Sequence, residues 1–212
     1  YIFEAARNYH EAAFAVIQDF LKDKKIWGAN FTYAKYSSKM EALLSGQEPN
    51  VFSAKFSGGA LMDLGVYTLY AAVRLFGAPQ SVCYTAQQLP NSVDLNGAGS
   101  LIYPDFQVRI QAGKNIHSQL PAEIYTDQGT LTLDGIEFIR SAIFQKINGE
   151  TESLTIRQAD HQMLEEAQAF ARVLKGGQEE LYSDYLQAAA TVHECMFAMR
   201  KDAGIRFEVD HD

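Results

Sequence analysis

Residues 106–113 read FQVRIQAG. Phe106, Val108 and Ile110 alternate with Gln107, Arg109 and Gln111, which puts apolar side chains on one face and polar ones on the other. That is the pattern of a half-buried strand, and the neighbouring segments repeat it. SVCYTAQQL (81–89), GAGSLIY (97–103), AEIYTD (122–127), GTLTLD (129–134) and IEFIRSAIFQ (136–145) all have strand character. Turn residues separate them: Pro90-Asn91, Asn96-Gly97, Pro104-Asp105, Gly129, Asp134-Gly135 and Asn148-Gly149. Connections this short join antiparallel neighbours, because parallel pairs need long crossovers. Gly97-Ala98-Gly99 fits a hairpin turn better than a phosphate loop.

Helices flank this run of strands. EAAFAVIQDFLK (11–22) repeats apolar positions at helical spacing, and IWGANFTYAKY (26–36) returns to alternation. In the latter Trp27, Ala29, Phe31 and Tyr33 share one face, Asn30 and Thr32 the other. Residues 37–57 are a long polar loop with Gly46 and Pro49. A helix over 60–76 stops at Gly77 and Pro79. HQMLEEAQAFARVLKGG (161–177) and DYLQAAATVHECMFAMRKDA (184–203) are the closing helices. In the last of these, His193 shares a face with Leu186, Ala190 and Phe197, which marks it as a core histidine. The order predicts a single α+β domain over 1–212: an open, mainly antiparallel sheet with helices covering one face. The mixed face bearing Gln107, Arg109 and Gln111 is left uncovered, so we expect a homo-oligomer through it.

The chain carries 18 Lys and Arg against 26 Asp and Glu, a net charge of −8, which argues against nucleic acid or an anionic membrane as partner. No run of about 18 apolar residues predicts a membrane span. Cys83 and Cys195 have no metal spacing and read as buried thiols in a cytoplasmic setting. His10, His117, His161, His193 and His211 show no metal-ligand spacing either, so no metal site is expected. No G-x-G-x-x-G, Walker or G-x-S-x-G motif is present. The chain begins YIFEAAR without Met, and YIF resembles a buried strand. We therefore expect the natural protein to start earlier.

The chemistry points to FSGGALMDLGVYTLY (56–70). Asp63, Tyr67, Tyr70 and Arg74 follow at helical spacing along one stripe. One reading is structural: Asp63 favours the helix start through the macrodipole, and the tyrosines edge the core. The other makes Asp63 and Tyr67 an acid/base pair at a site rim, with Gly58 and Gly59 letting substrate or cofactor approach the backbone. His10 and Arg7 in the opening segment, and Tyr36 and Lys39 at the start of the long loop, are candidate substrate contacts.

GGALMDLGVYTLY resembles the signature helix of the Gfo/Idh/MocA oxidoreductases, roughly G-G-x-L-x-D-x-G-x-H/Y. FEAARNYHEAAF, MLEEAQAFARVLKGG and MRKDAGIRFEVD resemble further segments of that family in the same order. Arg7 matches its position, whereas the usual Phe-x-Pro after it is replaced. The resemblance covers nearly the whole chain and implies the substrate-binding and oligomerisation domain that follows an N-terminal Rossmann domain. It also implies NAD or NADP as cofactor, held mainly by that missing domain. A sugar, cyclic polyol or diol is the implied substrate, and the family's catalytic Lys lies upstream in an E-K-P motif absent here. Tyr67 is then the proton relay. A tyrosine titrates near ~10, so work at neutrality needs a nearby cation, for which Arg7 and Lys39 are candidates. Asp63 would orient that cation or a substrate hydroxyl. The rival expectation is a stand-alone scaffold that kept the fold without catalysis.

Overall fold

A computed structural model describes residues 1–210; His211 lies outside the described residues. The described residues build one eight-stranded sheet in the order β2-β3-β4-β1-β5-β6-β7-β8. The strands are β1 (Ile26–Ala34), β2 (Ser81–Gln88), β3 (Asp94–Ile102), β4 (Gln107–Gly113), β5 (Ala122–Thr126), β6 (Gly129–Leu133), β7 (Ala142–Lys146) and β8 (Thr151–Leu154). The helices are α1 (Ala12–Leu21), the short α2 (Met40–Leu44), α3 (Val66–Phe76), α4 (Leu164–Leu174) and α5 (Glu179–Ala203). The fold is α+β, as the strand pattern predicts.

The sheet departs from a simple meander at its centre. β1 inserts between β4 and β5, parallel to β4 and antiparallel to β5. Every other pair is antiparallel. Two antiparallel steps separate β2 from β4, so β2 runs parallel to β1. The segment between β1 and β2 is therefore a crossover over the helical face, which is why it is long and contains α3. The expected polar loop at 37–57 holds α2 and two 3-10 turns. A register shift between Ile26 and Gly28 breaks the alternation expected for β1. Trp27 is accordingly exposed, while Ala29 and Phe31 are buried.

The core lies between the sheet and the helices. Phe31, Leu101, Val108, Ile124, Leu131 and Leu133 from the sheet meet Phe14, Ile17, Leu69 and Met199 from α1, α3 and α5. α5 covers the edge strand: Asp202 Oδ2 accepts the Tyr84 backbone N–H at 2.8 Å. The helical run 54–76 is apolar enough by length to span a membrane, yet 56% of its window is buried inside the domain, so it serves as the core helix.

Several local expectations change. Residues 1–3 form no strand, and Tyr1 and Ile2 are exposed. Only the second half of IEFIRSAIFQ is strand. Its first half is pinned as a loop, because Asn8 Nδ2 donates to the Ile136 carbonyl at 3.1 Å and Glu11 Oε2 accepts the Ile139 N–H at 2.9 Å. α5 buries Val192, Cys195, Met196 and Met199, so the face with Leu186 and Phe197 is solvent-exposed. His193 is thus no core residue; its Nε2 meets Glu4 Oε2 at 2.8 Å on the surface. Cys195 is buried as expected, but Cys83 is exposed, because alternation in β2 turns Tyr84 inward instead.

Candidate active site

The site is organised by two residues at the head of β3. Asp94 is fully buried, and its Oδ2 accepts the Leu61 N–H at 2.8 Å and the Tyr84 hydroxyl at 2.9 Å. Burial holds its carboxyl above the usual carboxylate range. Next to it, the Leu95 carbonyl accepts the Lys114 N–H at 2.7 Å. One dipeptide therefore fixes both the start of the helix that carries Asp63 and the end of β4 that leads to Lys114. Gly97 and Gly99 make this possible. They lie within β3, not in a hairpin turn, and a Cβ at Gly97 would come within 2.3 Å of the Tyr84 ring.

The helix begins with a π-turn, Leu61–Gly65, before the α-helical span of α3. The wider turn holds Asp63 out of the packed face, half-exposed, at the mouth of a cleft of about 610 Å³. Tyr33, Tyr36, Lys39 and Lys114 line the same cleft. Lys114 is the residue that sequence reasoning missed. Its side chain is only 4% exposed, and its ammonium donates to Asp63 Oδ2. The Phe52 ring lies 5.6 Å from Nζ. In the sequence Lys114 follows a strand in a Gly-Lys-Asn turn, where a lysine is ordinarily solvated, so nothing local marks it.

Tyr67 stands beside the cleft, half-buried, with its ring edge-on to Tyr33 at 5.5 Å. The Arg7 guanidinium lies 5.2 Å from its ring centroid and donates to the Glu137 carbonyl. Asn8, fully buried, donates from Nδ2 to the Tyr67 carbonyl at 2.9 Å. The structure thus brings Arg7, Tyr67, Tyr33, Asp63 and Lys114 into one arc, with Lys39 across the cleft. Tyr33 was legible only as a strand residue. Burial, reinforced by Glu137, pushes its phenol above the usual range, which keeps it a hydrogen-bond donor.

The other candidates lie elsewhere. His10 lines a separate cleft with Glu11, Arg74 and Arg172. Burial, then Arg74 and Arg172, lower its imidazole to about 4. Tyr70 is buried against Tyr9, and the Arg74 guanidinium lies 5.4 Å from the Tyr9 centroid, so both serve helix packing instead of the cleft. Gly58 and Gly59 are buried, and protein closes the space above them. A Cβ at Gly58 would stand 2.7 Å from the Val51 carbonyl, and one at Gly59, where φ is +124°, 2.1 Å from Asp94 Oδ1. They offer a cofactor no open backbone, and close packing accounts for both glycines. Among the described residues, no group of three or more His, Cys, Asp or Glu side chains forms a metal cluster.

The open sheet backed by helices on one face is the fold of the C-terminal domain of a family of oxidoreductases. Residues 25–132 match the GFO/IDH/MocA C-terminal domain, and the chain belongs to the Gfo/Idh/MocA family. It is 32% identical over 212 residues to an uncharacterized oxidoreductase, YgjR, of Escherichia coli, covering 99% of this chain and 63% of that protein. It is 33% identical over 179 residues to the scyllo-inositol 2-dehydrogenase (NADP(+)) IolU of Bacillus subtilis, covering 84% of this chain and 55% of that protein. The chain therefore spans about three fifths of the length of these relatives. Among solved structures, the 3-ketoreductase KijD10 of Actinomadura kijaniata, in complex with TDP-benzene and NADP, superposes with a TM-score of 0.72 at 17% identity. That match covers 95% of this chain and 61% of KijD10, and it shows a shared fold.

Proposed function

We propose that this chain is the substrate-binding and dimerisation domain of a cytoplasmic NAD(P)-dependent oxidoreductase. Its substrate is a sugar, cyclic polyol or diol, and a separate dinucleotide-binding domain of the intact protein holds the cofactor. The observation that carries this reading is the arc itself: a half-exposed carboxylate in a cleft, ion-paired to a buried lysine, beside a tyrosine faced by an arginine. The packed glycines at 58–59 leave cofactor binding to other parts of the protein.

The nicotinamide supplies hydride chemistry at the carbinol or carbonyl carbon. This chain handles the proton. Asp63 has one carboxylate oxygen on Lys114, so the other accepts a hydrogen bond from a substrate hydroxyl. Tyr67 takes or returns the proton of the reacting oxygen at its phenolic Oη. Arg7, over its ring, stabilises negative charge that develops there. The polar sheet face, where Asn30 Nδ2 donates to Tyr125 Oη at 2.5 Å and Tyr125 Oη donates to Glu123 Oε2 at 2.7 Å, is the self-association surface. The test is Tyr67→Phe in the intact enzyme, which keeps the ring and its packing. We expect kcat to fall roughly 10²–10⁴-fold with little change in melting temperature. Near-normal turnover would remove Tyr67 from the chemistry.

A further inference from the structure

We propose that Lys114 is a positioning residue for the reaction: its buried ammonium fixes the orientation of the Asp63 carboxylate in the cleft. The inference rests on the reading that Asp63 meets the substrate. Four observations carry it. Lys114 Nζ donates to Asp63 Oδ2, and among the described residues no other carboxylate lies within salt-bridge distance of it. The lysine is buried while the aspartate is half-exposed, so of the two charges it is Asp63 that is open to the cleft, and Lys114 acts through it. Both ends of the Lys114 backbone are tied: its N–H to the Leu95 carbonyl at 2.7 Å, its carbonyl to the Ser37 N–H at 2.8 Å. Finally, Asp94, next to Leu95, holds the helix start two residues before Asp63 at 2.8 Å. The pair thus has both its partners anchored on one dipeptide, an arrangement that fixes geometry more than a mobile surface ion pair can.

A buried lysine kept for packing alone behaves in the opposite way. Methionine matches its length and is apolar, and the Asp63 carboxylate it leaves behind is half-exposed and keeps its water, so the swap strands no buried charge. If Lys114 positions Asp63, Lys114→Met folds and melts normally but leaves the Asp63 carboxylate free to rotate. Misplacement of a reacting group by about 1 Å can cost about 10²-fold in rate.

The experiment is a double-mutant cycle of Lys114→Met and Asp63→Asn in the intact protein, with Lys114→Arg alongside. Turnover is measured with scyllo-inositol, myo-inositol and glucose as probes and NAD+ or NADP+ as acceptor, with melting temperature recorded for each variant. We expect Lys114→Met to lower kcat roughly 10–100-fold while remaining folded, and Lys114→Arg, which keeps the cation, to recover most of that loss. The double variant should be no slower than Asp63→Asn alone, because Lys114 acts only through Asp63. Lys114→Met within threefold of wild type, or multiplicative losses in the double variant, would overturn the role of Lys114 while leaving that of Asp63 intact. Full activity in Asp63→Asn, or no turnover of any probe by the wild type, would overturn the reading of the site and this inference with it.

Discussion

Replacing Glu11 by Gln should stabilise the protein at neutral and alkaline pH. Glu11 precedes α1 and is 4% exposed; one of its oxygens accepts the Ile139 N–H at 2.9 Å and the other has no partner. Burial, with a further push from Glu165 and Glu137, raises its carboxyl from 4.5 to about 8. Between those values the native state holds a proton that the unfolded chain has released. Stability therefore falls as pH rises from about 4.5, and the loss is complete only above about 8. Integrating the linkage gives a loss of about 2.5 kcal/mol from about pH 5 to about pH 7, and about 1.4 kcal/mol more by about pH 9. Glutamine keeps the shape and the acceptor for Ile139 but does not ionise. The assay is urea unfolding of both proteins at several pH values. The variant's advantage over wild type should grow with pH by roughly 4 kcal/mol across the whole range. Parallel curves for the two proteins would refute the reasoning, because every other titrating group is common to both.

The His10 imidazole should titrate near 4 by proton NMR, and its neutral native form means that stability is lost as pH falls from about 6.5 towards 4. A midpoint above 6 would contradict the burial and the Arg74 and Arg172 charges invoked for it. Light scattering at micromolar concentration should give a dimer, with an interface on the order of 1,600 Å² expected of a specific association. Ile143, exposed on the polar face of β7, offers the control: Ile143→Arg should shift the mass to a monomer, and an unchanged dimer would place the interface elsewhere.

The sequence alone was enough for most of the elements and for the side of the sheet that is buried, but it passed over α2 and the edge strand β8. Alternation in FQVRIQAG separates Val108 and Ile110 from Arg109, and they are buried and exposed as that alternation demands. Helical periodicity located α1 and α4 closely and the ends of α3 and α5, because these signals are local, while α5 begins earlier, at Glu179, and α3 only at Val66 after the π-turn. Asp63 and Tyr67 stood out together for the same reason: they lie four residues apart in one continuous helical run. Tertiary structure decided what local patterns cannot carry. The insertion of β1 between β4 and β5 depends on pairing across about eighty residues, and no short-range signal encodes it. The face of α5 that is buried depends on what packs against it, so His193 was misplaced. Gly59 reads the same in a sequence whether a ligand or the Asp94 carboxylate fills the space above it. Lys114 became visible only when β4 ended beside the helix start. Burial belongs to the folded surroundings of a side chain, and a lysine that is 4% exposed is spelled like one in water.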